Sequence, residues 1–222
     1  MYNEHVISAM FDLMNKVYTD AVIQPVYQKD ERGALISMIP DVVAKSIIIA
    51  DRGYESYNVM AHIENANQKY VIRVKDIDSN GMAAGFGFTE DEFDHTITMN
   101  ISKFQRKKLK ELPNYRYSPT ISRFDFSDKL NPVYSLTFRV VRIRLNDGKY
   151  QCLVTNLFDD FSISDIKRLY AMRWGIETSF RELKYAVGLN NFHSKKKDSI
   201  FKKFMSLSPC TISLNLLSKI QF

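Results

Sequence analysis

Cysteine is nearly absent. Cys152 and Cys210 are the two in 222 residues, too few and too far apart for a disulfide framework or a thiolate metal site. Both read as buried thiols in a reducing compartment. The four histidines, His5, His62, His95 and His193, are scattered without zinc spacing. No glycine-rich phosphate loop and no serine or cysteine nucleophile motif occurs, which argues against the common nucleotide-cradling and acyl-transfer chemistries. No long uncharged run reads as a membrane span and no secretory leader opens the chain, so a soluble cytoplasmic protein is expected. Internal repeats and low-complexity tracts are lacking too. Acid is the scarcer charge: 25 Asp and Glu stand against 31 Lys and Arg, a net +6. That modest excess permits a nucleic-acid partner without demanding one.

What is present is a chain 45% hydrophobic, enough to bury the core of one domain with an insertion. His5 to Leu13 and Val17 to Gln24 read as strands around an Asn15-Lys16 turn, closed by Pro25. Glu31 to Ile39 reads as a helix stopped by Pro40. The run Ser46-Ile47-Ile48-Ile49-Ala50-Asp51 is short, apolar and β-branched, the pattern of a central strand buried on both faces. A helix from about Ser56 to Asn65 and a strand from Tyr70 to Val74 follow. This alternation predicts a mixed sheet with helices on both faces.

Residues 76–158 differ in character. Asp78-Ser79-Asn80-Gly81 and Gly85-Phe86-Gly87 are turn-rich, and Thr96 to Met99 and Thr137 to Leu145 alternate as strands. Asn146-Asp147-Gly148 is a hairpin turn leading into Tyr150 to Thr155. Val141, Ile143 and Leu145 share one face and Arg142 and Arg144 the other, which predicts a β-rich insertion with a basic face. The runs Lys103 to Lys110 and Lys195 to Lys197 with Lys202 and Lys203 are either solvated faces or phosphate contacts.

The densest group of functional side chains runs from Tyr170 to Lys184. Ser162 and Asp165 are spaced as a capping box, and one helix is predicted from 163 to 187, stopped by Gly188. Leu169, Ile176, Phe180, Leu183 and Val187 form its apolar stripe. At about 100° per residue, Tyr170, Arg173, Glu177 and Lys184 fall on one arc beside that stripe, at the core's edge. A carboxylate flanked by two cations and a phenol suits a site that holds a metal and a phosphate. The plainer reading is that Arg173–Glu177 and Glu177–Arg181 are i,i+4 pairs on an exposed helix, each contributing about a few tenths of a kcal/mol. Trp174 is offset from the arc and is assigned to helix packing or groove contact. Asp51 ends the buried strand, where open α/β sheets place ligand sites; its plainer reading is a turn starter with Gly53.

Tyr-x2-Arg-x3-Glu-x6-Lys, with Trp174, Ile176 and Phe180 between, resembles the signature of the insertion sequence 4 family of bacterial DDE transposases. Ala50-Asp51-Arg52-Gly53-Tyr54 resembles the segment carrying that family's second catalytic aspartate. The resemblance implies a ribonuclease-H-like mixed sheet with flanking helices, interrupted by a β-rich insertion. It implies catalytic, metal-binding roles for Asp51 and Glu177, with Mg²⁺ or Mn²⁺ as cofactor. Tyr170, Arg173 and Lys184 would then grip DNA. Double-stranded DNA, at transposon ends and target, is the implied partner, with a second copy or an intact transposase as a further one.

The family's first acid lies on a first strand that would precede His5, and that strand is expected to be missing, leaving an open sheet edge. After about Phe201 the amphipathic pattern is lost, as in a frameshifted tail. The expected division is 1–75 and 159–200 as two parts of the catalytic core, 76–158 as the insertion and 201–222 as an atypical tail. Metal would then bind weakly, and the chain reads as a truncated, inactive remnant. The alternatives are a non-catalytic DNA-binding fragment that regulates an intact transposase, or an α/β domain without a DNA role.

Overall fold

A computed structural model describes residues 5–119, 122–186 and 215–221, with backbone alone for 182–186 and 215–221. Strands β1 (His5–Asp12) and β2 (Val17–Pro25) pair antiparallel. Their turn places Lys16 at φ 58°, and the Asp12 carboxylate accepts the N–H of Met14 at 2.9 Å and of Asn15 at 3.0 Å. Helix α1 (Glu31–Met38) starts at Asp30, whose side chain accepts from Gly33 N at 2.9 Å, a standard capping bond. Then come β3 (Ile47–Ala50), α2 (Tyr57–Asn65) and β4 (Lys69–Val74), with β3 and β4 parallel. The following block holds β5 (Phe93–Ser102), α3 (Lys107–Lys110), β6 (Tyr115–Tyr117), β7 (Tyr134–Arg144) and β8 (Tyr150–Thr155). Helices α4 (Ile163–Ala171) and α5 (Trp174–Ala186) and strand β9 (Asn215–Gln221) complete the described elements.

Among the described residues the strands form one mixed sheet, in the order β2-β1-β9-β3-β4-β8-β7-β5-β6. β8 pairs antiparallel with β4, so the strands of the 93–155 block continue the central sheet. Helices cover both faces. Leu35 and Met38 of α1 and Met60 and Ile63 of α2 pack with Ile48, Ala50, Tyr70 and Ile72 on one side. Ile166 and Tyr170 of α4 and Ile176 and Phe180 of α5 pack with Ile49, Val71 and Leu153 on the other. This is the ribonuclease-H-like α/β arrangement expected, and its β-branched strands owe their burial to helices on both faces. No helix among the described residues is long and apolar enough to cross a membrane.

Three features differ from expectation. Arg142 does not face solvent. It is 5% exposed, donates to Asp76 at 2.8 and 3.0 Å and lies 4.1 Å over the Tyr150 ring. Val140 and Val141, on opposite sides of β7, are both fully buried, so alternation there does not separate core from water. Second, the predicted single helix is two. Met172 N–H reaches the carbonyls of Arg168 and Leu169, and Arg173, Gly175 and Ile176 donate three residues back, a tightened turn between α4 and α5. Third, the sheet has no open edge beside β3. β9 lies there, antiparallel to β1 from Val6↔Gln221 to Asp12↔Asn215 and parallel to β3 at Ile49↔Leu216.

Candidate active site

Asp51 follows the last residue of β3. Its Oδ1 accepts the N–H of Arg52 at 2.7 Å, and this bond caps the short turn Arg52–Tyr54. Tyr170, at the end of α4, is 6% exposed and donates its hydroxyl to the same Oδ1 at 3.2 Å. The capping box of Ser162 and Asp165 fixes the start of α4, and Ile166 seats it on the sheet. Burial pushes the Tyr170 phenol up to about 12, and the Asp51 charge adds to the rise. Tyr170 therefore stays a hydrogen-bond donor at neutral pH.

Arg173 sits in the turn that opens α5. It is 6% exposed, and its Nη1 is paired with Glu177 Oε1 one helical turn on. Its guanidinium lies 5.6 Å from the Tyr170 ring centre. Burial works against the Arg173 charge, but the Glu177 hydrogen bond and the nearby Asp51 and Glu177 charges hold its pKa above the usual value. Among the described residues its Nε is buried without a partner. Tyr18 of β2 holds α5 in place, with its hydroxyl 2.9 Å from Ser179 Oγ and its ring 5.4 Å from Phe180.

The fold thus brings four sequence-predicted positions into one region. Asp51 meets Tyr170, Tyr170 lies under Arg173, and Arg173 holds Glu177. Lys184 falls within α5, and its side chain lies outside the described residues. Leu183 has a described backbone only, while Val187, His193, the Lys195–Lys203 cluster and Cys210 lie outside the described residues. Trp174 is 62% exposed, so it does not pack the helix against the core. Cys152 is buried, and its thiol, 3.1 Å from Asp76 Oδ1, is pushed up to about 12 by burial and then by Asp76.

One residue escaped the sequence reading. Arg73 of β4 places Nη1 4.0 Å from Asp51 Oδ1. The signal for it is an arginine standing in a strand otherwise buried from Tyr70 to Val74.

The two carboxylates fit a hard divalent cation in kind. Their side chains are 44% and 36% exposed, and among the described residues Asp51 Oδ2 and Glu177 Oε2 carry no hydrogen bond. Charged, solvent-facing oxygens are what Mg²⁺ takes, with water and substrate phosphate completing its shell. Among the described residues no group of three or more acidic, histidine or cysteine ligands forms. The strands on either side of β3, Lys69–Val74 and Asn215–Gln221, contain no Asp or Glu.

A family model described as "Transposase DDE domain" matches residues 6–216 of the chain. No curated protein matches it significantly.

Proposed function

Because this chain belongs to the family of transposase DDE domains, we propose that Asp51 and Glu177 are the catalytic carboxylates of a DNA transposition site. Transposition of DNA is the family's function, and its members generally use a divalent metal. The observation that carries the assignment is the Tyr170 to Asp51 hydrogen bond. It joins the end of β3 to the motif helices, two segments far apart in sequence. The motif spacing supports placing the chain in the insertion sequence 4 group, with hydrolysis at transposon ends followed by strand transfer.

Phosphoryl transfer asks a protein for in-line positioning and charge neutralisation rather than covalent help. A divalent cation, when bound, would lower the pKa of an attacking water and stabilise the leaving oxygen. Asp51 and Glu177 would hold it. Tyr170 fixes the Asp51 carboxylate through its hydroxyl, and Arg173 fixes Glu177. The Arg173 Nε is buried, so Arg173 would act on a nearby phosphate through its charge rather than through that N–H. Lys184 and Tyr170 would add phosphate contacts, on DNA held by a pair of copies or with an intact transposase.

The donor count sets the expected output. Two carboxylates among the described residues, with no acid on either strand beside β3, support weak metal binding and a chain that binds DNA with little turnover. The second reading, a non-catalytic DNA-binding protein that competes with an intact transposase, rests on this same count. The test is nicking of a supercoiled plasmid with Mg²⁺ or Mn²⁺, beside a duplex gel shift. Salt-sensitive duplex binding with near-background nicking is the expected result. Robust Mg²⁺-dependent nicking, lost in Glu177→Gln, would overturn the low-turnover reading and keep the catalytic assignment. Absence of both DNA and metal binding would overturn the site itself.

A further inference from the structure

A polar cavity of about 370 Å³ lies where the turn after β3 meets the 76–158 block, within the size range of ligand-holding pockets. Five cations line it, Arg32, Arg52, Lys75, Arg116 and Arg123, against one carboxylate, Glu55. Glu55 is already occupied: its oxygens accept the backbone N–H of Lys75 at 2.9 Å and of Met82. Arg123 is tied to Asp125 at 3.2 Å, and Arg32 donates to the Gly53 carbonyl at 3.0 Å. Arg52, Lys75 and Arg116 are exposed and have no carboxylate partner among the described residues.

These cations come from separate segments: α1, the turn after β3, the end of β4, β6 and the loop before β7. Like charges gathered this way repel one another, so the arrangement suits an anion that relieves the repulsion. α2 starts in the cavity wall. Its N-cap, Ser56, makes no side-chain capping bond, and the first intrahelical bond runs from Met60 N to Ser56 O. The first-turn N–H groups therefore lack intrahelical partners and add positive potential to that supplied by the side chains. Gly81 closes the rim. A Cβ there would meet Lys75 Cβ at 2.5 Å, so the loop approaches Lys75 this closely only as glycine.

We propose that this cavity is a phosphate site, separate from the α4 and α5 motif residues, that takes a phosphate of a nucleic-acid strand passing between the β3 turn and the 76–158 block. The proposal rests on the reading of the chain as a DNA-binding protein. Guanidinium forks match phosphate oxygens in pairs, and a cavity larger than one phosphate leaves room for the attached sugar. A free phosphomonoester offers the same chemistry, so the test separates the two sources.

The variant is Lys75→Gln with Arg116→Gln, both exposed and outside the active site, compared with Arg173→Gln and with wild type. Thermal melting confirms that each is folded. Anisotropy of a labelled duplex is read across a salt series, and calorimetry is run with inorganic phosphate and a 5′-phosphorylated dinucleotide. Loss of two contacts is expected to weaken duplex binding about tenfold and to flatten the log K against log salt slope by about 2. The free phosphates are expected to bind only weakly. Tight binding of the free phosphates without competition from duplex would overturn the nucleic-acid source. Duplex binding by the double variant with unchanged affinity and slope would overturn the cavity site and leave the transposase reading standing. If the wild type fails to bind duplex but its phosphate binding is lost in the double variant, the DNA reading falls and the cavity stands.

Discussion

Arg173 is a cation placed almost wholly inside the protein, with Glu177 and the faces of Tyr170 and Trp174 around it. Removing it strands a half-exposed carboxylate and the aromatic faces together. Arg173→Ala is expected to destabilise the fold by about 1–3 kcal/mol, read as a lower urea midpoint at unchanged slope. Arg173→Lys is not expected to restore it, because an ammonium cannot reproduce the planar fork. A change within about 0.5 kcal/mol would return the pair to surface decoration. The i,i+4 spacing of Arg173 and Glu177 was plain in the sequence, and so was the polar arc. The burial of Arg173 was not, since spacing on a helix says nothing of what packs against it. Arg142 teaches the same at β7. Alternation marks a solvent face only where one face meets water, and β7 is covered on both from Val140 to Ile143.

At the scale of elements, the strand and helix positions were legible because apolar runs, alternation and capping residues are local signals. Ser162 with Asp165 and the Ile47–Ala50 run landed where expected. The break between α4 and α5 was not legible. No proline marks it, and Gly175 acts through a non-local contact, since a Cβ there would meet Leu13 Cδ2 at 2.9 Å. Long-range polar clamps are equally silent in sequence. Asp125 fastens the segment before β7 to α2: its Oδ2 accepts from Asn58 at 3.0 Å and lies 2.8 Å from His62 Nε2. Burial alone would raise the Asp125 pKa, but hydrogen bonds from His62, Asn58 and Arg123 outweigh it and hold it at about 2, below the ordinary 3.8. The native state therefore binds this proton less tightly than the unfolded chain does. Its stabilisation is present above about pH 4 and is lost as pH falls toward 2. Asp125→Asn is expected to be less stable than wild type at pH 7, with the difference closing across that window in thermal melts. Parallel melting curves for the two proteins from pH 7 to 2 would show that the clamp contributes nothing.

For the whole molecule, the decisive pairing joins the two ends of the described chain. β9 connects the β1–β2 hairpin to β3, and β3 leads into the rest of the sheet. Sequence reasoning saw a lost amphipathic pattern after Phe201 and expected an open edge. The strand itself, Asn215-Leu216-Leu217-Ser218-Lys219-Ile220-Gln221, is too short to announce its partners, which stand near the opposite terminus. The cores on both faces also cross this junction, through Met10 on one side and Ile7, Ala9 and Phe11 on the other. The hairpin is thus held by packing as well as by β9. Deleting residues 215–222 would leave β1 with a row of unpaired N–H and C=O groups and would uncover β3 at Ile49, a template for association. The shortened chain is expected to melt at a lower temperature and to elute as larger, concentration-dependent species on size exclusion. A peptide spanning 215–222, added in excess, is expected to reverse that association by refilling the gap. If the shortened chain stays monomeric and melts with the full one, packing alone holds the hairpin, and β9 is not what joins the two parts of the sheet.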